Sequence, residues 1–142
     1  MGGPQHRGVQ VTLQNHLSAS AQDFLAKPLL ATLSTIRPDG SLHAVPVRFT
    51  WDDDMRLARV MTVASSRKAR NLAANPGSRV ALCQVADFRW ITLEGTATVS
   101  DDPREVADGV SRYTRRYLSP PPDPPGRVVV TIAVDSVMAL NI

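Results

Sequence analysis

The chain has 142 residues, a net charge of +3 from 16 Lys and Arg against 13 Asp and Glu, and a single cysteine. That size fits one domain, the lone cysteine excludes an internal disulfide, and the small basic excess suits anionic ligands while falling short of a nucleic-acid-binding surface. No apolar run approaches the ~20 residues of a membrane-spanning helix and no apolar secretory segment opens the chain, so a cytoplasmic protein with neither membrane nor nucleic acid as partner is expected.

Residues 1–14, with His6 among them, show weak periodicity and read as a flexible tail ahead of a domain spanning 15–142; His16 stands at its edge. Ser18 or Ser20 caps a short helix to Lys27, which Pro28 stops. Leu29–Ile36 and Ser41–Trp51 alternate about the turn Arg37–Gly40 and read as a hairpin. After the Asp52–Asp54 turn comes a strand at Leu57–Thr62 and a helix at Arg67–Asn75, ended by Pro76 and Gly77. Arg79–Val85 is continuously apolar, with Cys83 read as a buried small hydrophobe, and Trp90–Ser100 is a second core strand. Asp102, Pro103 and Glu105 make a helix start with a reciprocal acidic partner, and Val106, Val110, Tyr113 and Tyr117 form its apolar side. Arg112, Arg115 and Arg116 fall on the remaining surface. Ser119–Pro125 holds five prolines and reads as an extended linker; Arg127–Val134 is a strand and Val137–Ile142 a short last one. Six or seven strands interrupted irregularly by helices fit an antiparallel barrel and not a parallel doubly wound sheet. Side chains fill the interior of so small a barrel, which puts a ligand in an outside groove.

The chemistry is concentrated where the strand ending at Thr62 becomes a helix through Ser65 and Ser66. Free backbone N–H groups at that helix start, with Arg67, Lys68 and Arg70 around them, make a place for an anion. An ordinary capped surface helix with a solvated basic face is the alternative. Elsewhere the sequence is silent: His43 is the one histidine in the expected core, and no nucleophile elbow, metal-ligand spacing or dinucleotide fingerprint occurs. The carboxylates sit in a turn or a cap. A bound organic cofactor that supplies the reactivity is the option left.

Along residues 18–136, the segments Leu30–Gly40, His43–Val47, Arg59–Thr62, Ser66–Lys68, Cys83–Gln84, Arg89–Trp90, Leu93–Gly95 and Arg112–Tyr117 resemble the split β-barrel flavin- and deazaflavin-binding proteins related to pyridoxamine 5'-phosphate oxidase. Within them the chain is most similar to actinobacterial reductases that use coenzyme F420. The resemblance implies a mainly β chain with inserted helices, folded as a six- or seven-stranded antiparallel split β-barrel. It further implies a homodimer holding F420, or alternatively FMN, in a groove at the subunit interface. By position, His43, Val45, Pro46 and Val47 present backbone to the ring, and Val60, Met61 and Thr62 lie beside the ring and ribityl chain. Ser66, Arg67 and Lys68 match the phosphate-binding element, with Lys68 foremost. Arg59 and Arg70 reach a phosphate or the oligoglutamate tail. Gln84 reaches over from the partner subunit, and Trp90 stacks on the ring.

Each assignment has a plain rival. Val45, Val47, Val60 and Met61 equally suit a core, His43 reads more readily as a groove-edge residue than as a proton donor, and Trp90 suits a dimer contact. Gln84 suits the surface, and Arg112 and Arg116 either serve the tail or solvate their helix. The implied reaction is hydride transfer from reduced deazaflavin to a conjugated acceptor such as biliverdin, with no metal and no certain catalytic side chain. The alternatives are FMN chemistry in the same groove, or a protein that holds a flavin, deazaflavin or haem without turnover. Met61 stands where flavin-oxidising relatives have an aromatic residue, and no basic C-terminal substrate element follows, which argues against pyridoxamine phosphate oxidation.

Overall fold

A computed structural model describes residues 9–12 and 17–142. In chain order the elements are β1 (Val9–Thr12), α1 (Ala19–Ala26), β2 (Ala31–Ile36), β3 (Leu42–Val47), β4 (Thr50–Asp52), β5 (Leu57–Val63), α2 (Arg67–Ala74), β6 (Ser78–Ala86), β7 (Arg89–Ser100), α3 (Pro103–Tyr117) and β8 (Arg127–Leu140). All strand pairs are antiparallel, and the sheet runs β3-β2-β6-β7-β8-β5-β4 with β1 on β8. This is the mainly β, split-barrel architecture expected from the sequence, with eight strands among the described residues instead of six or seven.

The extra strands have local causes. Residues 9–12, placed by the sequence in the tail, pair with Ser136–Ala139 of β8; the rest of that tail, with His6 and His16, lies outside the described residues. The single strand expected over Ser41–Trp51 breaks after Val47, because Phe49 turns into the core and Thr50–Asp52 crosses to pair with β5. The two strands expected at the C-terminal end are instead one of 14 residues. Between Glu94↔Ser136 and Gly95↔Val134 the register slips by one, so Asp135 is bulged out without ending the strand. Its carboxylate takes a bidentate pair from Arg79, with Nη2 donating at 2.9 Å. Gly95 is required there: a Cβ would stand 2.0 Å from the Ala133 carbonyl oxygen.

Alternation decides what is buried. On β6, Val80, Leu82 and Gln84 point inward while Ala81, Cys83 and Val85 point out, so Cys83 is half-buried and not a core residue. Phe24, Leu25, Leu33, Phe49, Val60, Leu82, Ile91, Leu93 and Ile132 make one core. Around it, α1 packs on β4, α2 on β2 and β7, and α3 on β4, β5 and β8. The caps follow the sequence: Ser18, Ser66 and Asp102 each accept a backbone N–H of the following turn, although Asp102 takes that of Arg104 and not of Glu105. No helix among the described residues is long and apolar enough to cross a membrane.

Candidate functional site

Strand β5 ends against the core at Val63, and the chain turns through Ala64 and Ser65 into α2. The Ser66 hydroxyl fixes that turn, donating to the Val63 carbonyl at 2.9 Å and accepting from the Ala69 amide at 3.3 Å and the Thr62 hydroxyl at 3.1 Å. Its hydroxyl is thereby engaged in capping, and Ser66 does not line the cavity beside it. Lys68, in the first turn of α2, projects over a cavity of about 310 Å³.

The walls come from four elements and a loop: Pro46 to Arg48 at the end of β3, Val60 to Val63 of β5, Lys68 of α2, Tyr113 of α3, and Pro121, Pro122, Pro124 and Arg127. Of the residues singled out in the sequence, the fold brings Pro46, Val47, Val60, Met61, Thr62 and Lys68 to this cavity. Three cations line it, and no acidic side chain among the described residues does. Two of the three are tied down. Arg48 donates to the Tyr113 hydroxyl at 2.8 Å and lies 4.8 Å from the Tyr117 ring centre. Arg127 donates to the carbonyls of Pro121 and Pro122 and pairs with Asp123 at 3.5 Å. Lys68 has no hydrogen-bond or ion-pair partner among the described residues, and burial alone pulls its ammonium below the ordinary lysine range. A desolvated cation without a counter-charge is stabilised by any anion that enters.

The remaining sequence candidates stand elsewhere. His43 is half-buried with Nδ1 unpaired; burial, then the positive charges of Arg37, Lys68 and Arg67, hold its pKa below the usual 6.5, so it is neutral at pH 7. Val45 is packed against the core, Arg70 is exposed, and Arg67 is half-buried beside Lys68 without lining the cavity. Arg59 does not line this cavity. Its guanidinium is held by Asp52 at 3.1 Å and Asp108 at 3.7 Å and is neutralised there. Gln84 is 1% exposed, neither a surface residue nor one free to reach outward, because its amide donates to the Phe24 carbonyl at 2.6 Å and accepts from Arg116 at 3.3 Å. Trp90 is half-buried on the outer sheet face, opposite Val85. Arg116, expected on the surface, is drawn inward by the carbonyls of Phe49 and Lys27, and Arg112 is paired with Asp52 and Asp108.

A larger cavity, about 580 Å³, lies between α1, β4 and α3. Of the sequence candidates for the cofactor it contains only Arg112 and Arg116, offered for the tail and both already engaged; Asp23, Asp53 and Arg115 share its lining. The smaller, uniformly cationic cavity is the candidate site. Sequence reading missed Arg48, Tyr113, Arg127 and the prolines there. The one signal for the prolines was their own rigidity, which makes a preset wall as readily as a spacer.

Arg127 latches that wall to β8. Arg127→Ala is expected to lower stability by about 0.5–1.5 kcal/mol, the worth of the lost carbonyl bonds, in a urea denaturation at pH 7. An unchanged midpoint would show the proline segment holding its place unaided.

Known proteins match along nearly the whole chain. The family model described as pyridoxamine 5'-phosphate oxidase matches residues 17–141. An F420H(2)-dependent biliverdin reductase of Mycobacterium tuberculosis is 41% identical over 128 residues, which cover 90% of this chain and 91% of that protein. Among solved structures, a conserved hypothetical protein of Mycobacterium tuberculosis superposes with a TM-score of 0.72 at 25% identity, covering 92% of this chain and 89% of the other. An F420 reductase superposes with a TM-score of 0.68 at 26% identity, covering 85% and 98%.

Proposed function

The chain belongs to the pyridoxamine 5'-phosphate oxidase family of split β-barrels, and we propose that it is a reductase using the reduced deazaflavin F420H2 to reduce a conjugated acceptor of the biliverdin type. The observation that carries this reading is the unpartnered Lys68 over a cavity lined by three cations, with the similarity to an F420H(2)-dependent biliverdin reductase as support. The residues present fit the cofactor. Lys68 suits its phosphate, and Val47, Val60, Met61 and the prolines give apolar walls suited to a flat ring. When bound, F420H2 supplies the hydride.

The protein's own work is placement and charge. Lys68 would hold the phosphodiester end. The β5 strand and the proline wall would orient the ring by packing against it. Arg48, steadied by Tyr113 and Tyr117, offers a cation in the cavity lining for charge that builds on the acceptor. No protein nucleophile takes part.

About 310 Å³ is at the bottom of the ~300–1,000 Å³ range for ligand pockets, small for a deazaflavin with its side chain. A second copy completes the groove in this reading. The outer face of β3, β2, β6 and β7 exposes Leu42 at 69%, Val85 at 56% and Ile36 at 37%, an apolar surface suited to a homodimer.

The test is a fluorescence titration of the purified protein with F420 and, in parallel, with FMN, followed by absorbance assays of F420H2 with biliverdin. Micromolar or tighter F420 binding with consumption of both reactants supports the proposal. Preference for FMN, which the same cations accommodate, would overturn it in favour of a flavin enzyme; binding of neither would overturn it outright.

A further inference from the structure

We infer that Gly109, which does not line the cofactor cavity, sets the cavity's depth through Met61 and is therefore a positioning residue for the ring. Gly109 is buried in the middle of α3, where glycine is the poorest helix former after proline and alanine would ordinarily be favoured. A Cβ added there would stand 2.6 Å from the Met61 sulfur, 3.4 Å from its methyl carbon and 3.2 Å from Cγ2 of Val129. Met61 and Val129 are directly paired across β5 and β8, so α3 lies down on that cross-strand pair with only a hydrogen between.

The two neighbours differ in what they can yield. Val129 is 0% exposed and β-branched, with a single stiff rotamer bond and no exposed side to move into. Met61 is half-buried and unbranched, and its open side is the 310 Å³ cavity. Any side chain at position 109 thus drives the thioether toward the cavity, where the ring of the cofactor is placed by the reading above. Tyr113, one turn further along the same helix, lines the cavity directly, so a shift of α3 away from β5 would also carry Tyr113 and its hydrogen bond to Arg48. Gly109 keeps Met61 back and lets α3 hold Tyr113 close to β5.

The chain has four methionines, so labelling with 13C-methyl methionine gives four methyl signals, and Met61→Leu identifies the one to follow. In apo Gly109→Ala that signal should shift and be relaxed more strongly by a soluble nitroxide, because the thioether has moved into open space. F420 affinity should fall by about tenfold. In a Met61→Ala background, adding Gly109→Ala should change affinity by less than about twofold, the 2.6 Å clash with the thioether being gone. An unmoved Met61 signal, or the same loss of affinity in both backgrounds, would overturn the inference. The methyl measurement uses no cofactor, so it decides the point even if the parent protein fails to bind F420 and the functional reading falls. Misfolding of the single variant with recovery in the double would support the coupling; misfolding of both would assign Gly109 to packing on Val129 and overturn it.

Discussion

Lys68→Ala is expected to weaken F420 binding roughly 10- to 100-fold while leaving Tm unchanged or raised. The affinity loss follows from removing a charge-assisted hydrogen bond to an anion in a partly desolvated site, worth ~1.5–3 kcal/mol. The stability gain follows from the apo state. There the ammonium is half-buried with no partner among the described residues, and burial already pulls its pKa down, so folding bears a cost that alanine removes. Alanine is also the best helix former for the first turn of α2. Fluorescence titration and a melting curve check the two halves separately. Arg70→Ala, exposed on the same helix and away from the cavity, is the charge-matched control and should change affinity little. Equal losses in the two variants would mean that general positive potential, not a seated contact, attracts the cofactor.

Asp52→Ala is expected to be the most damaging single change to stability, about 3 kcal/mol at neutral pH, out of the ~5–15 kcal/mol a domain has. Asp52 is 6% exposed and receives Arg59 at 3.1 Å, Arg112 at 3.3 Å and the Met55 amide at 3.2 Å. Removing it leaves Arg59, itself 12% exposed, with only Asp108 at 3.7 Å. Burial pushes the Asp52 carboxyl up, but the Met55 amide and the two arginines outweigh it, and its pKa lies below the usual 3.8. A carboxyl depressed in the folded state contributes stability that is complete above the unfolded value and lost as pH falls through the folded one. The gap between parent and variant in urea midpoint should therefore hold from neutral pH to about pH 4 and close in stronger acid. A gap independent of pH would mean that packing and not charge is lost.

The same two sites show what could be seen in the residues beforehand. Lys68 was legible because the signal is local: a strand, two serines and a cation in the first helical turn lie within one short stretch, and local geometry carries the ammonium to the cavity. The ion pairs of Arg59 were not legible, for the opposite reason. Its fate depends on Asp52 across a turn and on Asp108 of α3, and nothing in the strand itself shows that α3 will fold across β5. Gln84 likewise reads as a polar residue in an apolar run, and only the packing of α1 brings the Phe24 carbonyl to it. The bulge at Asp135 looked like a strand end because a charged residue interrupts the apolar pattern; the backbone pairing with β7 resumes beyond it, and Arg79, one strand beyond β7, meets the bulged carboxylate. The strand pattern suggested an antiparallel barrel; the family resemblance supplied the split-barrel type.

Strand β8 has a consequence for how the chain is made. It is flanked along its length by β7 and on its other edge by β5 and then β1, so three earlier strands wait for it. A ribosome delivers residues 127–140 after all of them. Until then the nascent chain carries bare edges on β5 and β7, the kind of template on which neighbouring chains join. Arg127, which latches the cavity wall, arrives with the same segment, so no shorter nascent form has the whole candidate site, and ligand cannot rescue an incomplete chain. Stalled translation ahead of residue 127 should therefore yield aggregates that added F420 does nothing to dissolve, whereas chains that extend past residue 140 gain both the completed sheet and the cavity wall in one step.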